Sequence, residues 1–207
     1  FATYAELMYL EHSCSKEAYL NELNDKLQTI INFWPMVENY DVNENSFASN
    51  DVYNKGATML HCLRCNINDD SLFFDIIRDF NLQYRYKTIS SKDFIDFVNR
   101  KTGEDYTPFF NKYLYDKELP VLSYHFTRED TQLTLTYKWA GVEDGFEMPF
   151  CIKTNDEKAV RLVGTTLEQK VILDNTEWFN FYNEWLDLDG VLDNSYTYFW
   201  TRWDEEE

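Results

Sequence analysis

A change of hydrophobic period near Leu119 constrains this chain more than any other feature. Up to that point apolar residues recur at helical spacing, and beyond it they alternate with polar ones. Two periods in separate blocks predict an α+β protein: a helical bundle over residues 1–118, then a small β-sandwich domain over 119–207. With 207 residues, 44% hydrophobic and 18% aromatic, the chain can bury a sizeable core.

Within the helical block, Phe1 to about His12 is apolar on several sides, as a helix inside a larger core would be. Ser15 is placed to cap a second helix whose stripe is Leu20, Leu23, Leu27, Ile30 and Ile31, ending near Trp34-Pro35. Glu38 to Asn50 is rich in Asn and Asp and reads as a loop. Asn50 or Asp51 then caps a helix with Tyr53 in its first turn, and Asp69 or Asp70 caps the next, whose core face is Phe73, Ile76, Ile77 and Phe80. Ser90-Ser91-Lys92-Asp93 is a capping box ahead of Phe94, Ile95 and Val98, with Gly103 past the helix end. Thr107-Pro108 predicts an N-cap followed by proline at the first helical position, opening a short aromatic helix.

After Pro120, Leu133, Leu135, Tyr137 and Trp139 mark one strand and Phe146, Met148, Phe150 and Ile152 another. Further strands are expected at 160–163, 168–173, 178–182 and 196–203, separated by turns at Gly141 to Gly145, Asn155-Asp156 and Asp189-Gly190. His125 falls in a strand as well. About seven short strands at this spacing suggest a sandwich.

A net charge of −18 argues against nucleic acid, since a phosphate backbone needs clustered Lys and Arg. No apolar run is long enough to span a bilayer, so no membrane segment is expected in this chain. Four cysteines, Cys14, Cys62, Cys65 and Cys151, are too few and too scattered for a disulfide framework. Nothing in the sequence fixes a compartment.

The run Asp51-Val52-Tyr53-Asn54-Lys55-Gly56-Ala57 through His61 resembles the Tyr-x-Lys-Gly-Ala helix start of zinc aminopeptidases of the aminopeptidase N type, which are gluzincin metallopeptidases. Phe1-Ala2-Thr3-Tyr4-Ala5-Glu6 resembles the continuation of that family's Trp-Leu-Asn-Glu-Gly-Phe-Ala helix, whose glutamate is the third zinc ligand. Phe73, Phe94, Gly103, Phe109-Phe110 and Leu114 follow at the spacing of its closing helices, so the likeness is specific over about the first 120 residues. After Pro120 it rests on strand patterning alone.

The resemblance implies the later helical part of a thermolysin-like catalytic domain followed by a β-sandwich, and a chain that begins just after the third zinc ligand. It implies an intact enzyme that uses zinc to remove N-terminal residues from a peptide substrate, with the Tyr53 hydroxyl stabilising the tetrahedral intermediate. The family's His-Glu-x-x-His and its Gly-x-Met-Glu-Asn strand do not occur in this sequence. The polypeptide alone is therefore expected to hold no zinc, to be inactive, and to expose apolar surface around Phe1, Tyr4, Leu7 and Met8 through which it could self-associate.

By composition, any one of the 15 tyrosines is a packing residue; the flanking Lys55-Gly56-Ala57 and the preceding polar loop single out Tyr53. A tyrosine hydroxyl suits the task, because it keeps its proton at neutral pH and stands far from its own backbone. Gly56 and Ala57 would let another helix or the substrate cleft approach, Lys55 reads as a surface charge, and the loop Phe47 to Asn50 could line the cleft. His61, Cys62 and Cys65 have ligand-type side chains, but a single such pair inside an amphipathic helix reads as buried structure. Neither His12 nor His125 has a partner at zinc-helix spacing, so no metal ligand is assigned. Glu6 and Glu11 are either near the metal or, as the plainer reading, solvated or paired with a lysine, and Trp139, Trp178, Trp185, Trp200 and Trp203 read mostly as core.

Two other classes stay open: a peptide-binding or scaffolding protein of the same fold without catalysis, and an unrelated interaction module. An upstream His-Glu-x-x-His, its degeneration, or its absence would separate the three.

Overall fold

A computed structural model describes residues 1–37, 50–129, 132–155, 159–174, 176, 179–182 and 202–205. Its helices are α1 (Ala2–Ser13), α2 (Lys16–Leu27), α3 (Asp51–Ile67), α4 (Asp70–Tyr84), α5 (Ser91–Thr102) and α6 (Thr107–Leu114). Its strands are β1 (Val121–Glu129), β2 (Gln132–Ala140), β3 (Met148–Thr154), β4 (Ala159–Gly164), β5 (Gln169–Asp174), β6 (Phe179–Tyr182) and β7 (Arg202–Glu205). The class is mixed α+β, with helices first and strands after.

Several helix ends are written locally. The Ser15 hydroxyl accepts from the Ala18 amide, the Asp69 carboxylate accepts from Leu72, and Ser90 and Asp93 cap each other reciprocally. Gly103 closes α5 in the left-handed region at φ +80°, where a side chain would be strained.

Two ends differ from expectation. The α2 stripe does not run on to Trp34-Pro35: the helix stops at Leu27, leaving Ile30 buried and Ile31 65% exposed. The Thr29 hydroxyl turns back to the Lys26 carbonyl, Asn32 takes φ +48°, and the Asp51 carboxylate accepts from the Ile31 and Asn32 amides. Those amides can no longer serve a helix. At α6 the N-cap is Tyr106, not Thr107, because the Asp105 carboxylate accepts the Thr107 amide and starts the helix one residue early.

The central element is α3. It packs against α1, α2, α4 and β3, so its buried set includes Ala57, Met59, Leu60, Cys62 and Leu63 on more than one side. Tyr4 and Leu7 of α1, Leu20 and Leu23 of α2, and Phe73 and Ile76 of α4 complete this core. The aromatic group Phe80, Phe94, Phe97 and Phe110 packs edge to face between α4, α5 and α6.

The strands form two sheets, ordered β5-β2-β1-β7 and β4-β3-β6. Among the described residues every pairing is antiparallel except that of β1 with β7, which is parallel. Leu133, Leu135, Tyr137 and Trp139 alternate to the buried side of β2 as expected. Rings from the two sheets meet, Tyr124 with Phe181 at 4.8 Å and Tyr137 with Phe150 at 5.0 Å between centroids. The Trp139 indole N–H donates to the Met148 carbonyl at 2.9 Å, tying β2 to β3. The expected strand at 196–203 is described only from Arg202, and Trp178, Trp185, Trp200 and the turn at Asp189-Gly190 lie outside the described residues.

Helices end at Leu114 and strands begin at Val121, yet the apolar core is continuous across that junction. The Tyr113 hydroxyl donates to the Met148 sulfur at 3.3 Å, Asn66 donates to the Glu147 carbonyl at 2.9 Å, and Arg161 reaches the Cys65 carbonyl at 3.3 Å.

Candidate active site

Tyr53 is the third residue of α3 and half exposed, in the first turn where the sequence puts it. The Asn50 carbonyl accepts the Tyr53 and Asn54 amides at 3.0 and 2.9 Å. The N-cap is Asn50, and its side chain makes no cap bond. Asp51, only 2% exposed, instead holds the turn after α2, accepting from Ile31 and Asn32 at 3.1 and 2.9 Å. Asn54 adds a bond to the Thr29 hydroxyl at 2.6 Å.

Helical spacing puts Asp51, Asn54, Lys55 and Thr58 on one face and turns Tyr53 away from it. The buried face is therefore an anchor, and the other side of the same turn is open for Tyr53.

Lys55 is not a surface charge. It is 3% exposed, and its ammonium donates to the Asp116 carbonyl at 3.3 Å beyond the end of α6. Burial pulls its pKa down to about 8, against the opposing pull of Asp51 and Asp116. Lys112, also buried, pairs with the Asp116 carboxylate at 2.8 Å. Gly56 faces Met36, whose sulfur would stand 3.9 Å from an added Cβ, an ordinary contact. No described neighbour of Gly56 demands glycine there, so the close approach of a helix is not what this position serves. Of the loop Phe47 to Asn50, residues 47–49 lie outside the described residues.

Farther along α3 the potential ligands are committed to packing. His61 is fully buried, with Nδ1 hydrogen-bonded to the Tyr19 hydroxyl and Nε2 3.5 Å from the Cys65 sulfur. Burial, helped by the nearby Arg64 charge, lowers its pKa to about 3. Burial raises the thiols of Cys62 and Cys65. His12 is exposed and His125 half-buried. Among the described residues no group of three or more His, Cys, Asp or Glu stands together to hold a metal ion. Glu11 pairs with Arg64 rather than with a lysine, while Glu6 lies 4.0 Å from Lys26.

The sequence reading missed Arg64 and the Asp51, Lys55, Lys112, Asp116 group. Only the second left a trace, as two acid-base pairs at four-residue spacing. The expected apolar surface on α1 is also corrected. Tyr4 and Leu7 are buried, while Phe1 is exposed with its ring against Phe80 and Phe94, and Tyr9 is exposed in an open groove lined also by Ala2, Ala5, Glu6, Leu10 and Glu22. No helix among the described residues is long and apolar enough to cross a membrane.

No family model matches the chain, and no curated protein does. Among solved structures it is similar to aminopeptidase A of Legionella pneumophila, crystallised in complex with aspartic acid, at 16% identity and a TM-score of 0.61. The match covers 85% of this chain and 21% of that one, so the chain spans about a fifth of that protein's length. At that identity the likeness is one of fold, and the fold is aminopeptidase-like.

Proposed function

We propose that this chain is part of a zinc-dependent aminopeptidase of the aminopeptidase N type, contributing the later helices of a thermolysin-like catalytic domain and, from about residue 119, a β-sandwich. The observation that carries the reading is Tyr53: a half-exposed phenol on the open side of a helix turn whose other side is anchored by buried charge. The aminopeptidase-like fold supports it.

On this reading zinc and its ligands come from residues outside this sequence, together with the general base. Zinc would supply Lewis acidity and an activated water. Tyr53 donates its hydroxyl proton in a hydrogen bond to the substrate carbonyl oxygen as that oxygen gains charge. Because the bond strengthens toward the tetrahedral intermediate, it lowers the barrier more than it tightens substrate binding. The polypeptide by itself is inactive, and any self-association runs through the exposed Phe1 and Tyr9 of α1.

The test is Tyr53→Phe in the zinc-loaded enzyme, which removes one donor and keeps the ring. Turnover should fall by roughly a hundred- to a thousandfold, about 3 to 4 kcal/mol of transition-state stabilisation, with KM changed far less. Near-normal turnover in a folded, zinc-loaded variant would end the assignment.

A further inference from the structure

A lysine 3% exposed is a costly choice for a helix turn, since an apolar side chain of similar length would bury at that place without desolvating a charge. Three pieces of chain come together around the ammonium. Asp51, one helical turn before it, holds the Ile31 and Asn32 amides after α2. Lys55 itself holds the Asp116 carbonyl, and Lys112 holds the Asp116 carboxylate. The turn after α2, the start of α3 and the end of α6 thus meet at the buried Asp51, Lys55 and Lys112 with the half-exposed Asp116, and Tyr53 rises from the α3 turn they fix.

We propose that Lys55 is a positioning residue for Tyr53, its charge between Asp51 and Asp116 holding the first turn of α3 in the one orientation that aims the phenol at the substrate oxygen. This inference rests on the reading of Tyr53 as the oxyanion donor. The groups facing Lys55 are Asp51 from α3, and Lys112 and Asp116 from α6 and the segment after it. With the ammonium titrating near pH 8, the tether carries its charge at neutral pH and gives that charge up in mild alkali.

A purely structural lysine and a positioning lysine predict different results. Lys55→Met removes the bond to the Asp116 carbonyl and the counter-charge beside buried Asp51, so its unfolding is measured alongside and turnover is compared where both proteins are fully folded. If Lys55 positions Tyr53, the same variant should lose roughly ten- to a hundredfold in kcat with little change in KM, the cost of a misplacement of about 1 Å. The wild-type kcat should show an alkaline limb near pH 8 that Lys55→Met lacks and that Lys55→Arg, which keeps its charge, moves to higher pH. In the 207-residue polypeptide itself, the ring-13C resonance of Tyr53, assigned by its absence in Tyr53→Phe, should shift with the same midpoint in wild type and not in Lys55→Met. A resonance flat through that range, or a Lys55→Met enzyme with full turnover, overturns the proposal. Normal turnover in Tyr53→Phe overturns the reading beneath it instead, so the two failures are told apart.

Discussion

Arg64 grips the Glu11 carboxylate with two parallel hydrogen bonds, Nη1 to Oε2 at 2.7 Å and Nη2 to Oε1 at 3.1 Å. Its Nε and Nη2 also reach both oxygens of Asp70 at 2.7 Å. One guanidinium, 2% exposed, therefore ties α3 to α1 and α4. Burial alone would lower its pKa, but the bonds to Asp70 and Glu11 raise it instead.

Replacing Arg64 by Met should cost about 3 kcal/mol, because it strands the partly buried Glu11 carboxylate without a counter-charge. Of the two partners, Glu11→Gln should be the more damaging, since the Asp70 side chain is 50% exposed and water can replace its bond, against 23% for Glu11. Urea unfolding of the three variants checks the order, and equal losses for Glu11→Gln and Asp70→Asn would contradict it.

A methyl group at Gly164 should be poorly tolerated. An added Cβ would stand 2.6 Å from the Trp139 indole nitrogen, the atom that donates to the Met148 carbonyl. Trp139 would have to shift and break the link between β2 and β3. Gly164→Ala is expected to cost about 1 to 3 kcal/mol by overpacking, with a changed tryptophan emission, whereas Gly56→Ala, next to Met36, should be close to neutral or mildly stabilising. Chemical unfolding of both variants makes the comparison.

The parts of this structure legible in the sequence are those fixed within a few residues. Ser90 and Asp93 announce α5, and the alternation from Leu133 to Trp139 announces the buried face of β2, because both depend on neighbours in the chain. The end of α2 was illegible because the stripe continues through Ile30 and Ile31, while the group that takes the Ile31 and Asn32 amides is Asp51, far along the chain. Lys55 misled for the same reason: charge predicts exposure unless a group far along the chain, here the Asp116 carbonyl, receives it. Alternation gives the face of each strand but not its neighbour, so the order β5-β2-β1-β7 could not be read either. Tyr53 stood out only through the residues around it, since nothing in its own burial separates it from an ordinary surface tyrosine.

Acid should destabilise the fold through His61. Its folded pKa of about 3 lies below the ordinary histidine value, so the unfolded chain takes up a proton near pH 6.5 while the folded chain does not. The stability linked to His61 is complete above pH 6.5 and falls by up to about 1.4 kcal/mol per pH unit as the pH drops toward 3. Asp70, held below the usual carboxylate range chiefly by Arg64, adds a loss of the same sign at still lower pH. His61→Gln should flatten the first slope without touching the second. Unfolding free energies measured at about pH 7, 6, 5 and 4 decide it, and an unchanged slope in the variant would assign the acid sensitivity elsewhere.

The isolated polypeptide should bind no stoichiometric zinc. A firm zinc site needs three or four ligands already aimed at one point, with thiols deprotonated and imidazole nitrogens available. On α3 the imidazole of His61 spends Nδ1 on the Tyr19 hydroxyl, and burial holds Cys62 and Cys65 as thiols. Metal binding there would have to break the Tyr19 bond and expel two buried protons, at the centre of the helical core. Elemental analysis after incubation with zinc and extensive dialysis should find well below one metal per chain. One firmly held zinc that disappears in Cys62→Ser or Cys65→Ser would overturn this, and would make the middle of α3 a metal centre in its own right.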